Sequence, residues 1–313
     1  MIEEKTVFVL GAGLSLDYGF PTGYNLRNKI TNLLNWNNAV TPIPERIKIL
    51  KGMGFSEEEI EMVRGQLEDG GFDTIDEFLL ARKNERLRQL GKIGIAMALI
   101  EYENPNKFKH LSADTCFYRY LFKKMVENTT IENFAENSVS FVTYNYDRSL
   151  EFFLWNTLFN RYEVRLKEIE DKIMKKIKII HVHGKLGDMH WQNPTSRDYK
   201  PQLDDVNLIL ASNGIINFDD IGEDHPNYMS ARNEIKNADN VVFVGFGFHT
   251  LNLSRLVKDN CLDGKKRIIA TCWGLGDREK KEIEGVTNRV LTSGNLVNKR
   301  AVSFANEYLT WLK

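Results

Sequence analysis

Short apolar runs alternate with helical hydrophobic periodicity over most of the chain. Five runs are continuous and rich in β-branched residues: Thr6–Leu10, Ser138–Thr143, Ile177–Val182, Asn240–Val244 and Arg267–Cys272. Such runs are typical of strands that are buried on both faces, as in parallel sheets. Between them, apolar residues recur every three or four positions, first in the segment that starts at Tyr24. The alternation predicts an α/β fold, with a parallel sheet and helices on both of its faces.

One region departs from this alternation. From about residue 42 to residue 130, the pattern predicts helices and no strand. Ser56 with Glu59, and Thr74 with Glu77, have the spacing of a capping box ahead of apolar residues, which indicates two helix starts. We therefore predict a single domain over residues 1–313, with a helical module at residues 42–130 inserted after the first strand.

Composition and charge narrow the class of protein. The 313 residues are 42% hydrophobic and 27% charged, with a formal net charge of -1. The hydrophobic fraction excludes a disordered chain, and the near-balance of charge gives no global electrostatic footprint for direct nucleic-acid binding, although it leaves a local patch open. No apolar run approaches the roughly 20 residues of a membrane span, and the N-terminus lacks the pattern of a signal peptide. We expect a cytoplasmic protein, and three widely spaced cysteines predict no disulfide framework and no zinc site.

Glycines follow the first predicted strand directly, in the segment Gly11–Ser15 (GAGLS). Glycine at such a turn lets a phosphate approach the backbone closely, although the segment is not the complete dinucleotide fingerprint. A tight turn with no ligand is the simpler alternative. The candidate nucleotide contacts are Gly11, Ala12, Gly13 and Ser15, with Pro21 and Thr22 from the loop that follows.

Polar side chains end the next two predicted strands. Asn145 and Asp147 follow one strand, and His183 follows the next. Ligands bind at the carboxyl edge of open α/β sheets, so an amide, a carboxylate and an imidazole there are candidate catalytic groups. Asp147 has a simpler alternative as the cap of the following helix. His181 has the same orientation on its strand as His183, and we interpret it as structural.

These motifs together resemble a known family. A further glycine turn, GFGF at residues 245–248, adds Gly245, Gly247 and Phe248 as candidate contacts. With GAGLS at 11–15, GFP at 19–21, TYNYD at 143–147 and HG at 183–184, it has the order and spacing of the sirtuin superfamily. The chain most resembles the bacterial sirtuin-like group that acts in antiphage defence.

The resemblance implies a Rossmann-like domain that binds NAD+, with an inserted helical module. By that resemblance, the loop Gly11–Ser15 would hold the pyrophosphate, and the turn at 245–248 would line the adenosine side. Asn145 and Asp147 would hold the nicotinamide ribose and position the attacking group. His183 would match the catalytic histidine of the family.

The resemblance also implies an activity. Protein deacetylases of the superfamily carry a zinc ribbon of paired cysteines, which this chain cannot form, and their acid-aromatic-basic run after the proline is replaced here by residues 22–24 (TGY). Defence members cleave NAD+ to nicotinamide and ADP-ribose, depleting the infected cell. We therefore expect an NAD+ glycohydrolase that uses no metal and breaks its bond through an oxocarbenium-like state.

Other functions remain open at this point. The chain is alternatively a module that senses NAD+ or ADP-ribose without catalysis, a zinc-free deacylase, or an ADP-ribosyltransferase. Little of the length is left for a sensor domain. We therefore expect control by homo-oligomer assembly or by a separate regulatory partner, such as a nucleoside-triphosphatase or a nucleotide-processing protein.

Overall fold

A six-stranded, wholly parallel sheet organises the molecule. The computed structural model describes residues 1–36, 42–162, 165–216 and 224–312. Its strands are β1 (Thr6–Leu10), β2 (Val139–Thr143), β3 (Lys178–His181), β4 (Asn240–Val244), β5 (Arg267–Thr271) and β6 (Leu296–Val297). Their order in the sheet is β3-β2-β1-β4-β5-β6. The fold is α/β and Rossmann-like, as the alternation of strands and helices predicts.

Fourteen α-helices surround this sheet within the described ranges. They are α1 (Ala12–Ser15), α2 (Gly23–Leu34), α3 (Glu45–Gly52), α4 (Glu57–Asp69), α5 (Ile75–Ala81), α6 (Glu85–Ile100), α7 (Phe117–Val126), α8 (Ser149–Arg161), α9 (Leu166–Ile169), α10 (Asp205–Asn213), α11 (Pro226–Lys236), α12 (Thr250–Leu256), α13 (Asp277–Val286) and α14 (Ala301–Tyr308). Helices α3 to α7 all lie between β1 and β2, and no strand occurs in residues 42–130, all of which are described.

The predicted strands agree closely with the structure because they are buried on both faces. All five residues of β1, β2 and β4 are buried, so none of these strands alternates between buried and exposed positions. The bounds of β1 and β4 are as predicted, and those of β2, β3 and β5 differ by one residue at one or both ends. The two-residue strand β6 is too short to produce a pattern.

The two predicted capping boxes form to different extents. At α4, the Glu59 amide donates to Ser56 Oγ at 3.2 Å, and the Ser56 amide donates to Glu59 Oε2 at 2.9 Å. At α5, the Glu77 amide donates to Thr74 Oγ1, but the Glu77 carboxylate instead accepts the Asp73 amide at 2.7 Å. Both helices begin where the spacing indicates.

The order of strands fixes where a ligand can enter. The chain builds β1, β2 and β3 to one side and then crosses to β4 on the other side of β1. Such a reversal opens a crevice at the carboxyl ends of the two central strands. No helix in the described part of the chain is long and apolar enough to cross a membrane.

Candidate functional site

Two glycine loops meet at the crevice between β1 and β4. The amides of Gly11 and Gly13 donate to the carbonyls of Val244 (3.1 Å) and Gly245 (2.9 Å). A Cβ atom on Gly11 would lie 2.6 Å from the Gly245 oxygen, and one on Gly13 would lie 2.9 Å from it. Gly245 itself has a φ of +63°, which favours glycine. The approach of the two loops therefore accounts for these glycines, and their contact with a pyrophosphate stays a prediction.

A buried hydrogen-bond network joins the first loop to the end of β2. The Asn145 Nδ2 atom donates to Ser15 Oγ at 2.9 Å and to the Gly11 carbonyl at 3.2 Å. The Ser15 hydroxyl donates in turn to Asp147 Oδ2 at 2.9 Å. Asn145, Ser15 and Asp147 are all buried. The structure thus brings three of the predicted site residues together at the carboxyl ends of neighbouring strands.

Each carboxylate oxygen of Asp147 has its own partner. The Oδ1 atom accepts the Ser149 amide at 3.0 Å, so Asp147 does help to start α8, while Oδ2 accepts the Ser15 hydroxyl. Burial raises the pKa of Asp147, and the hydrogen bonds from Ser149 and Ser15 work in the opposite direction. The hydrogen bond to the Ser149 amide agrees with the capping interpretation, and the role of Asp147 in a site stays a prediction.

Asn145 carries the one unsatisfied oxygen of this network. Its Oδ1 atom is buried and has no hydrogen-bond partner among the described residues. A buried acceptor without a donor is costly, by about 1–3 kcal/mol. A hydroxyl group or a water molecule in the adjacent cavity, which Asn145 lines, would satisfy it.

His183 lies behind the two tyrosines that flank Asn145. Its ring is 1% exposed and meets the Tyr144 ring edge-on, with centroids 5.2 Å apart. Its Nδ1 atom is 3.8 Å from Asp76 Oδ2. Burial lowers the pKa of His183, against the opposing effect of Asp76, and so favours the neutral imidazole that a general base requires.

His181 is bound on both sides, as its structural interpretation predicts. Its Nδ1 lies 2.9 Å from the Asn145 carbonyl oxygen, and its Nε2 lies 2.7 Å from Glu151 Oε1. Burial acts to raise the pKa of Glu151, but His181 and Lys185 outweigh it and lower that pKa to about 2. The pair fixes the backbone that presents Asn145.

Two cavities open along the crevice. The smaller, of about 70 Å³, is lined by residues that include Ser15, Pro21, Asp76, Asn145, Tyr146 and Asp147. The larger, of about 270 Å³, is lined by residues that include Gly13, Thr22, Gly245, Gly247, Trp273 and Arg300. Ala12 and Gly23 line both, so the two cavities adjoin across the carboxyl end of β1. We call them together the nucleotide cleft, after the ligand that the sequence predicts for this edge of the sheet.

Three predicted site residues do not line this cleft. Gly11 contributes its carbonyl to Asn145 instead, and His183 is separated from the smaller cavity by Tyr144 and Tyr146. Phe248 has a φ of +53° that turns its ring into the core, where it packs 5.0 Å from the Phe246 ring. No cleft contact for Phe248 is found among the described residues.

Two features of the cleft are missing from the sequence interpretation. The Tyr146 hydroxyl donates to Asp76 Oδ1 at 2.5 Å, which places a carboxylate from α5 beside the site. In the larger cavity, the Arg300 guanidinium stacks 4.3 Å above the Trp273 ring. Asp76 lies within a segment that we interpret only as a helix start, and Arg300 lies next to a strand too short to predict.

The groups assembled here are hydrogen-bond acceptors and a titratable ring. They comprise an amide oxygen without a partner among the described residues and a buried carboxylate at the end of β2, with an imidazole of lowered pKa behind them at the end of β3. A scan of protein-family models finds no match to this chain, and a search of curated proteins finds none either.

Proposed function

We propose that this chain is a sirtuin-like NAD+ glycohydrolase that releases nicotinamide and ADP-ribose. The observation that carries the proposal is the buried network of Asn145, Ser15 and Asp147 beside the nucleotide cleft. The cleft has two adjoining parts, as a dinucleotide has two halves. The nicotinamide ribose would occupy the smaller cavity. The adenosine would occupy the larger one, which is lined by the Trp273 ring and the Arg300 guanidinium.

The reaction breaks the bond between the ribose C1′ atom and the nicotinamide nitrogen. The bonding electrons leave with nicotinamide, which departs neutral and needs no general acid, and positive charge develops on the ribose. Asp147 in its ionised form stabilises that charge, and the low dielectric of its buried position strengthens the effect. Ser15 holds the carboxylate in place by its hydrogen bond.

The second half of the reaction adds water to C1′. Asn145 Oδ1, which lacks a donor in the protein, accepts a hydrogen bond from the attacking water or from a ribose hydroxyl and so orients it. The water gives up a proton as the new C–O bond forms. Asp76 borders the cavity and lies 3.8 Å from His183 Nδ1, which offers a route by which the neutral imidazole takes that proton.

The biological part of the proposal comes from the resemblance of the motifs. An enzyme that depletes NAD+ in the cytoplasm suits an antiphage-defence effector, which must stay inactive until infection. Control by oligomer assembly, or by a separate nucleoside-triphosphatase or nucleotide-processing partner, is the form of regulation that we infer. An ADP-ribosyltransferase would use the same site with a different acceptor.

A panel of variants tests this assignment. Nicotinamide release from NAD+ is measured for the wild type and for Asn145→Ala and His183→Ala, without any acyl peptide. Loss of release by about 100-fold or more in both variants is expected, because Asn145 borders the reacting atoms and His183 takes the proton by way of Asp76. His190→Ala is the matched control, since His190 is half exposed and pairs with Asp198 outside the cleft.

The same panel separates the rival functions. Full release by Asn145→Ala and His183→Ala would contradict the proposed roles. Wild-type protein that binds NAD+ but releases no nicotinamide would favour a sensor. Release that begins only when an acyl peptide is added would favour a deacylase.

A further inference from the structure

A second, strongly basic cavity lies apart from the nucleotide cleft. It has a volume of about 750 Å³ and is formed mainly by α7 and the C-terminal half of α8. Four of its lining side chains are cationic and none is acidic: Lys109, Arg119, Lys123 and Arg161. It shares no lining residue with the cleft. Because the whole chain has a net charge of -1, this concentration of positive charge is local to the cavity.

Helical spacing builds the walls of this basic cavity. Helix α7 contributes positions i, i+3, i+4 and i+7, which share one face: Arg119, Phe122, Lys123 and Val126. Helix α8 contributes a face of amide, hydroxyl and guanidinium groups: Asn156, Thr157, Asn160 and Arg161. The two faces together offer cations, hydrogen-bonding side chains and apolar surface.

The cations of the basic cavity are not engaged by protein carboxylates. Lys109, Lys123 and Arg161 form no ion pair with any residue that the structure describes, whereas the neighbouring Lys124 lies 3.9 Å from Glu127. Arg119 donates only a long hydrogen bond, 3.4 Å, to the Phe108 carbonyl. Its Nε atom is buried and lacks a partner among the described residues.

Helix dipoles do not account for this arrangement. Cations are favourable in the last turn of a helix, which explains Lys123 on α7 and Arg161 on α8. Arg119, however, lies in the first turn of α7, where a cation is unfavourable, and Lys109 lies outside both helices. The four cations share the cavity rather than a helix terminus.

We propose that this basic cavity binds a nucleoside polyphosphate. Its volume falls within the range of about 300–1,000 Å³ typical of small-molecule sites. Lysine and arginine are the side chains that bind phosphate groups, and four of them match a ligand of several negative charges. The amides of Asn156 and Asn160, which also hydrogen-bond to each other at 3.2 Å, and the apolar wall of Phe122 suit the base and the ribose. This inference does not depend on the proposed activity.

Calorimetric titration of the full chain tests the proposal. The probes are ATP, inorganic triphosphate and adenosine, each titrated into wild type and into the double variant Lys109→Glu/Lys123→Glu. Both lysines are exposed, so the substitutions leave the core intact, and circular dichroism confirms folding. We expect wild type to bind ATP at least tenfold more tightly than adenosine, and the double variant to lose at least tenfold in ATP affinity.

Controls assign the binding to this cavity. Lys265→Glu, an exposed lysine outside the lining, should change ATP affinity less than twofold. Arg161→Glu alone should weaken ATP several-fold. Unchanged affinity in the double variant, or no binding of ATP by folded wild type, would overturn the proposal. Triphosphate that binds as tightly as ATP would overturn its nucleoside part, and adenosine that binds as tightly as ATP would overturn its phosphate part.

Discussion

The buried carboxylate of Glu103 offers the sharpest test of the packing around the site. Glu103 accepts two hydrogen bonds from Arg148, at 2.9 Å to Nε and 2.7 Å to Nη2, and its Oε2 lies 2.6 Å from Arg197 Nη1. All three side chains are buried. One carboxylate thus serves two guanidinium groups within the protein.

Removing that single charge should be costly. In Glu103→Gln the shape is kept, but two buried cations lose their counter-ion, and breaking a buried ion pair costs about 3–5 kcal/mol. Arg148 also donates to the carbonyls of Asp188, Arg197 and Asp198. We therefore expect the loop at residues 188–198, which follows β3, to loosen along with the fold.

Urea unfolding at neutral pH measures the effect as a change in the free energy of unfolding. The matched control is Glu101→Gln, two residues away, whose partly exposed carboxylate pairs with Lys29. An exposed ion pair contributes about 0–1 kcal/mol, so the control should be nearly as stable as wild type. If Glu103→Gln lowers the free energy of unfolding by less than about 1 kcal/mol, the reasoning that Glu103 neutralises two buried guanidinium groups is refuted.

Three further predictions follow from the site. Because burial lowers the pKa of His183, the rate of nicotinamide release should fall on the acid side only below pH 6.5. An acid limb centred above that value would contradict the role of His183 as a base. Gly13→Ala should cost about 1–3 kcal/mol in urea unfolding, because its Cβ would press on the Gly245 backbone, whereas Gly247→Ala, with open space around it, should cost little. Because the pKa of Glu151 is lowered, its ionised carboxylate stabilises the folded state above pH 4.5, and this contribution is lost as the pH falls towards 2. The difference in the free energy of unfolding between wild type and Glu151→Gln should therefore narrow over that pH range. A constant difference would contradict the stabilising role of the carboxylate.

The fold follows from the sequence because its central strands are buried on both faces. Runs such as Thr6–Leu10 contain no polar alternation, so the strand and its two ends can be predicted from the sequence without knowledge of tertiary contacts. The order of the strands is different. That β4 pairs with β1 rather than extending from β3 is decided by packing between residues far apart in the chain.

The candidate site can be predicted only in part from the sequence. Asn145 and Ser15 are 130 positions apart, and their hydrogen bond follows from strands whose carboxyl ends meet at one edge. Asp76 reaches the same place from a helix of the inserted segment, which no strand pattern anticipates. Phe248 fails to reach the cleft because its positive φ turns the ring into the core, and such a backbone conformation is invisible in the composition of the turn.

The time course of NAD+ cleavage by the purified wild-type chain tests the central claim most directly. Chromatography would follow NAD+, nicotinamide and ADP-ribose together over a wide range of protein concentration, because assembly is an expected form of control. The account predicts equal amounts of nicotinamide and ADP-ribose, formed without acyl peptide or acceptor protein. NAD+ that remains intact at every concentration, beside a folded protein, would contradict the claim that this chain by itself is a glycohydrolase.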